Sequence, residues 1–398
     1  MTAPELPQHW FRRELGRLVS ILARRFGVHR LELCEDAAQT ALLQATQSWS
    51  SGRLPDDPGA WLYRVAHNHV LDELRREKRE ERYLAEVRVD YAQQEVQDDV
   101  LRLLFVCADP AIPPESQLVL AAKTLCGFSI GEIALRLFQS EDAINKRLQR
   151  ARARLREHAE IQSLDPARVP GVLHMLYLLF NEGYSSAQPD RVIRRELCDE
   201  ALRLALMLRD DPAGAIPETD ALIALMCLHA ARFDARVDGE GGLLLLEEQD
   251  RALWDRELVE RGLDHLGRSA RGDAPSRYHI EAGIAAEHVL APTYAETDWA
   301  EIVRLYELLE RVAPSPLNVL NRAIALAEHE GADAGLAALE SFEAPSWLVD
   351  YYLWDATLGE LHRRRGDRER ALFHTKRALA AAPTNPEKAL LERRLSKI

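Results

Sequence analysis

The residues best suited to chemistry lie in FSIGEIALRLFQSEDAINKRLQRARARLRE, residues 128–157. Seven basic and three acidic side chains fall between Ser129 and Arg156. Guanidinium and ammonium groups at that density suit phosphate oxygens, which orient a protein on nucleic acid without specifying sequence. Base edges call for other groups: Asn pairs with adenine, Glu and Asp accept from cytosine, and Lys or Arg reads guanine. By position, Glu141, Asp142, Asn145 and Lys146 would meet base edges. Lys146, Arg147, Arg150 and Arg154 fall on the polar side of their helix, and Arg150, Arg152, Arg154 and Arg156 are placed for phosphates. The alternative is an ordinary amphipathic helix pair with a solvated basic face.

Two helices must hold these groups. Ser129 followed by Glu132 is a capping box that opens the first, with Ile130, Ile133 and Leu137 on its inner face. After a break at Phe138–Gln139, Ser140 caps the second, whose apolar stripe is Ile144, Leu148, Ala151 and Leu155. Two capped helices joined by a short turn fit a helix-turn-helix, which places the second helix in the major groove.

A second polar face lies on WLYRVAHNHVLDELRREKR, residues 61–79. Asp57-Pro58 starts this helix, Asp as N-cap and Pro at the first helical position. Leu62, Val65, Ala66, Val70 and Leu74 form a buried stripe. Arg64, His67, Asn68, Asp72, Arg75, Arg76 and Arg79 remain for solvent or a ligand. Trp61 and Tyr63 beside them would stack on unpaired bases while Arg tracks the backbone, or the helix is a capped surface helix with solubilising charges. Leu15, Leu18, Val19 and Leu22, then Ala38, Ala41, Leu42 and Ala45, repeat at helical spacing, so residues 8–80 read as a helical bundle.

The chain has 398 residues and a net charge of −13, which taken whole argues against nucleic acid. The charge is unevenly spread: residues 1–162 hold 23 Lys+Arg against 24 Asp+Glu, and residues 163–398 hold 28 against 40. Residues 77–98 are charged and poor in aliphatics, a linker or a solvated helix extension. Strand-like alternation is hard to find, and the expectation is an all-α chain: a bundle over 8–80, a linker over 81–98, a helix-turn-helix domain over 99–160 and a large acidic helical region over 163–398. Mean hydropathy is −0.27, no run of about 18 apolar residues spans a membrane, and the N-terminus lacks a secretory pattern. Cys34, Cys107, Cys126, Cys198 and Cys227 show no CxxC spacing and read as buried thiols in a reducing cytoplasm.

The order of these parts resembles an extracytoplasmic-function (ECF) RNA polymerase sigma factor. EDAAQTALLQATQSW, PGAWLYRVAHNHVLDELRR, IPPESQLVL, FSIGEIA and INKRLQRARARL follow one another collinearly over residues 8–160. The resemblance implies that residues 8–80 are sigma region 2 and residues 99–160 sigma region 4. It implies that Asp36 and Gln39, matching the family's D-x-x-Q segment, dock on the β′ clamp helices of core polymerase, with the β flap a further contact. Thr40 and Leu42 stand where the family often has an acidic and an aromatic residue. The 61–76 helix, with Asn68, Asp72, Arg75 and Arg76 at its polar positions, would open and read the −10 element as single strand. The Ser50–Pro58 loop would lie where a flipped base is captured, and the helix-turn-helix would read −35 duplex.

The acidic extension fits a tetratricopeptide-like array. Leu358, Gly359, Gly366, Ala371, Ala378 and Pro383 match one unit, and Ile302, Tyr306 and Leu309 before Pro314 match part of another. Two segments stand out from bare scaffold. LYLLFNEGYSSA (176–187) ends in Asn181, Glu182, Gly183 and Tyr184, either a helix end with Gly183 at the C-cap or an interdomain or ligand contact. ARFDARVDGEGGLLLLEEQDRALWDR (231–256) places Arg232, Asp234, Arg236 and Asp238 before a Gly-rich turn; Asp238 and Glu240 around Gly239 hint at a metal loop, but the EF-hand ligand spacing is absent. Both resemble segments of the sigma-factor group with a tetratricopeptide-like extension, where the extension controls sigma activity and DGPF-motif proteins are candidate partners. His229, His279 and His288 lack a partnered nucleophile, so no enzyme, cofactor or metal is expected. A helix-turn-helix regulator acting without core polymerase and a tetratricopeptide-type adaptor are the competing readings.

Overall fold

The computed structural model describes residues 8–50, 54–77, 93–136, 139–158, 164–184, 193–239, 242–272 and 274–398. Helix makes up 78% of it. Among the described residues there is no strand, and Val237 and Leu243 form an isolated antiparallel bridge. No helix there is long and apolar enough to cross a membrane. The all-α expectation holds. Contacts divide the chain into two compact units, Met1–Leu179 with Asp199–Gly214, and Phe180–Cys198 with Ala215–Ile398.

The first unit opens with α1 (Gln8–Phe26), α2 (Leu31–Ser50) and α3 (Pro58–Glu77). Leu15, Leu18, Val19 and Leu22 of α1 are buried, as are Ala38, Ala41 and Ala45 of α2 and Leu62, Ala66 and Val70 of α3. Small residues along α2 let α1 and α3 pack closely on it. Leu42, Val65 and Leu74, expected in the core, are only half-buried, because each lies at the edge of its stripe. Next come α4 (Gln93–Cys107), α5 (Pro114–Thr124), α6 (Ile130–Arg136) and α7 (Glu141–His158). Helix α4 begins inside the stretch expected to be linker, since Gln and Glu are good helix formers; residues 81–92 lie outside the described residues. Helices α8 (Val169–Tyr184) and α9 (Arg195–Asp210) contribute to both units. Within the first unit, Met175, Leu176, Leu179 and Leu204 line an apolar cavity with Leu104, Leu125 and Cys126.

The second unit continues with α10 (Pro217–Ala230), α11 (Arg256–Ser269), α12 (Arg277–Leu290), α13 (Trp299–Val312), α14 (Pro316–His329), α15 (Ala332–Glu340), α16 (Ser346–Val349), α17 (Tyr352–Arg365), α18 (Arg368–Ala381) and α19 (Asn385–Leu395). From α10 onward most helices pack chiefly on their sequence neighbours, the arrangement of a stacked array. The α17–α18 pair shows why its small residues matter. A Cβ on Gly359 would sit 2.6 Å from Thr375 Oγ1, while Ala371 and Ala378 are fully buried across the pair. All five cysteines are buried and none is in a disulfide, and burial pushes the Cys34 and Cys227 thiols up to about 12, which keeps them unreactive.

Candidate nucleic-acid interface

Helix α7 presents the polar face expected of it. Ile144, Leu148, Ala151 and Leu155 are buried, and Glu141, Asp142, Asn145, Lys146, Arg150 and Arg154 are exposed, with Arg147 half-exposed. The start of α6 is built as a reciprocal cap: Glu132 N–H donates to Ser129 Oγ at 3.1 Å and Ser129 N–H to Glu132 Oε2 at 2.8 Å. Ala143 N–H donates to Ser140 Oγ at 3.2 Å, capping α7. Leu137 and Phe138 lie outside the described residues. Arg154 is 3.5 Å from Glu157, both side chains exposed; such a pair is weak and leaves the guanidinium available to phosphate.

Arg152 departs from its expected place among the phosphate-facing arginines. It lies next to the Ala151 stripe and turns inward, with 13% of its side chain exposed. It joins the buried Glu35 of α2 and reaches Glu32 at 3.2 Å, and Arg156 reaches Glu32 at 3.0 Å. Thr124 Oγ1, at the end of α5, donates to the other Glu35 oxygen at 2.5 Å. Burial raises the Glu35 carboxyl above the usual range, opposed by Arg152 and Thr124. Asp36 and Gln39 stand beside this contact on α2, exposed and three residues apart, hence on one face.

Helix α3 starts where expected, with Ala60 N–H donating to Asp57 Oδ1 at 2.9 Å. Arg64, Asn68, Asp72, Arg75 and Arg76 are exposed. Asp72 pairs with Arg75 at 3.1 Å and Glu73 with Arg76 at 2.6 Å, on well-solvated arginines. His67 is not with them in solvent. Its half-buried ring lies 5.4 Å from both Phe26 and Tyr63, and burial followed by the Arg25 charge lowers its pKa, which keeps it neutral. The expected stacking pair is also absent. Tyr63 is buried with its hydroxyl toward Arg25, and Trp61 is half-buried against Trp49 at 5.3 Å. Both rings fill the bundle because they flank Leu62 on its inward side. Residues 51–53 of the proposed base-capturing loop lie outside the described residues, as does Arg79.

In the second unit the two singled-out segments meet. Arg236 lies over the Tyr184 ring at 3.8 Å and donates from Nη1 to Tyr184 O at 2.7 Å. Gly183 is not a C-cap: it is buried inside α8, where a Cβ would sit 2.6 Å from Cys198 Sγ and 2.8 Å from Arg194 O. Its carbonyl accepts from Arg194 N–H at 2.7 Å, so the glycine admits the chain entering α9. Asn181 and Glu182 are half-buried, and burial raises the Glu182 carboxyl to about 8. Arg232 is buried beside Tyr184, whereas Asp234 is exposed and paired with Arg195. Asp238 closes its own turn, accepting from Gly242 N–H at 2.6 Å. It lies 3.6 Å from Arg393, so a guanidinium stands where the metal-loop reading wanted a cation. Among the described residues no group of His, Cys, Asp or Glu is arranged to hold a metal. Residues 185–187 and Glu240 lie outside them. Gln249, Arg251 and Trp254 lie in the 231–256 segment but carry no individual role in the sequence reading, which set His229 and His288 aside as scattered histidines; these residues surround Arg232.

Residues 10–80, the α1–α3 bundle, match the model of sigma-70 region 2. Residues 168–270 match a family of unknown function, DUF6596. The uncharacterized protein R00370 of Rhizobium meliloti (strain 1021) is 38% identical over 385 residues, 92% of this chain and 90% of that protein. The ECF RNA polymerase sigma factor SigM of Mycobacterium tuberculosis (strain ATCC 25618 / H37Rv) is 33% identical over 149 residues, 36% of this chain and 70% of SigM. The SigM of strain ATCC 35801 / TMC 107 / Erdman matches to the same extent. No solved structure matches the chain. The likeness to SigM runs over twice as many residues as the region 2 bundle alone, and it places this chain in the ECF RNA polymerase sigma-factor family.

Proposed function

We propose that this sigma factor carries core RNA polymerase to its promoters through both helical parts of its first unit, under the control of its own C-terminal region. The observation that carries the reading is the sigma-70 region 2 match over a bundle whose α2 and α3 leave Asp36, Gln39, Arg64, Asn68, Arg75 and Arg76 exposed. Asp36 and Gln39 dock on the β′ clamp helices. The α3 face holds −10 single strand by its arginines, with Asn68 and Asp72 supplying hydrogen bonds to bases. The α6–α7 pair acts as the helix-turn-helix, with Glu141, Asp142, Asn145 and Lys146 at −35 base edges and Arg150 and Arg154 on phosphates. Such a protein works in the cytoplasm, beside the chromosome.

The C-terminal region is tetratricopeptide-like in this reading, supported by its sequential helix packing and the Gly359–Thr375 contact. Its surplus of 40 acidic over 28 basic residues competes with DNA phosphates, and a DGPF-motif protein is a candidate for relieving it. The test is promoter-dependent transcription with core polymerase at stated salt, full chain against a truncation after Gly214. That cut retains α8 and α9, which share the apolar cavity of the first unit. Higher activity of the truncation supports inhibition; unchanged or lower activity overturns it. Sequence-specific DNA binding by the chain alone, with no response to core polymerase, overturns the sigma reading in favour of a free-standing regulator.

A further inference from the structure

The second unit contains a cluster of cationic and hydrogen-bond-donating groups with too few acceptors. Arg232 follows the end of α10 and is 8% exposed. Its Nε and Nη2 both donate to one neutral oxygen, Gln249 Oε1, at 3.2 Å. Arg236, on the Tyr184 ring, has a backbone carbonyl as its acceptor. Arg251 lies over Trp254 at 4.5 Å and donates from Nη1 to the carbonyls of His288 and Ala291, each at 2.7 Å. Arg232 is 5.6 Å from the same indole ring. Among the described residues no carboxylate lies within ion-pairing distance of these three arginines.

Four buried nitrogens in this neighbourhood have no hydrogen-bond partner in the protein: His229 Nδ1, His288 Nδ1, Arg251 Nη2 and Trp254 Nε1. The His229 ring is 4.6 Å from Tyr184. Burial and then the neighbouring arginines, Arg232 foremost, hold both histidines down at about 3, so the imidazoles are neutral and each offers one N–H. Burying donors without acceptors costs free energy, and burying like charges together costs more. A fold that retains such a set gains by taking in a compact negative group.

We propose that Arg232, Arg236 and Arg251, with His229, His288 and the Trp254 indole, form a binding site for an oxyanion carried by a small molecule. The chemistry is that of a carboxylate or phosphate group: planar guanidinium forks bind either one in bidentate fashion, and the Tyr184 and Trp254 rings supply apolar walls. Arg232 and the unpartnered nitrogens of His229, His288, Arg251 and Trp254 are buried, out of reach of a folded surface or a nucleic-acid backbone, which limits the ligand to a small anion. The site lies outside the sigma-70 region 2 match, and binding does not depend on the sigma reading.

The test is thermal unfolding and calorimetric titration of the full chain with inorganic phosphate, with succinate, and with sodium chloride at matched ionic strength. Saturable stabilisation by phosphate or succinate beyond chloride is the expected result, and which one acts tells the phosphate source from the carboxylate source. Arg236→Gln, at a half-buried position against the last residue of α8, weakens binding by about tenfold or more, the size of one charge-assisted hydrogen bond. Trp254→Phe, which keeps the ring and removes the donor, weakens it less. No saturable effect beyond chloride, or an effect that both folded variants keep in full, overturns the proposal.

Discussion

Arg152 of α7 donates to Glu35 of α2, the residue immediately before Asp36. One basic side chain of α7 is thereby committed to the helix that carries Asp36 and Gln39. Only 4% of the Glu35 side chain is exposed, so its charge depends on this partner and on Thr124. Replacing Arg152 by Ala strands a buried carboxyl and should destabilise the first unit by about 3 kcal/mol. Glu35→Leu with Arg152→Met should recover most of that loss. Urea unfolding followed by circular dichroism measures both.

Glu182 yields a pH dependence. Burial raises its folded pKa from 4.5 to about 8, so between those values the folded state holds a proton that the unfolded state has released. Stability from this group is therefore present below about pH 4.5 and is lost as pH rises toward 8. Glu182→Gln should flatten the decline, with a Tm advantage over the parent that grows from pH 5 to pH 8 in a calorimetric scan. An advantage that shrinks with pH would contradict the assignment.

The exposed positions separate function from stability. Asp36→Ala and Gln39→Ala change no buried contact and should shift unfolding by less than about 0.5 kcal/mol, while lowering core-polymerase binding and transcription. Loss of transcription together with a large drop in Tm would mean that their role is structural.

On α7 the two proposed classes of contact have different signatures. Arg154→Ala should weaken binding to all promoters alike and reduce the salt slope by about 1. Asn145→Ala should leave the slope unchanged and cost about 1–3 kcal/mol of discrimination at one base pair. Binding titrations of the polymerase complex over a salt series on matched and single-substituted −35 elements distinguish them.

Gly359→Ala places a methyl 2.6 Å from Thr375 Oγ1 and 3.1 Å from Thr375 N. Backbone cannot yield as a flexible side chain does, so the α17–α18 pair should lose about 1–3 kcal/mol. Adding Thr375→Ala should restore only part of it, because the backbone nitrogen remains in the way.

Local pattern alone determined much of this protein. Capping chemistry at Asp57, Ser129 and Ser140 and the apolar stripe of α7 all act within a few residues, and each was legible from residue type and spacing. The segments around Asp36, Asn68 and Asn145 also resemble, in collinear order, those of a sigma factor. Tertiary packing decided the rest. Whether Arg152 faces DNA or Glu35, whether Tyr63 stacks on a base or fills the bundle, and whether Gly183 caps α8 or admits α9 depend on groups distant in sequence. The donor cluster around Arg232 is the clearest case. Its members are spread from Tyr184 to His288, and neither spacing nor periodicity relates them. Only burial in a common low-dielectric neighbourhood turns scattered arginines, histidines and an indole into a set of donors with too few acceptors.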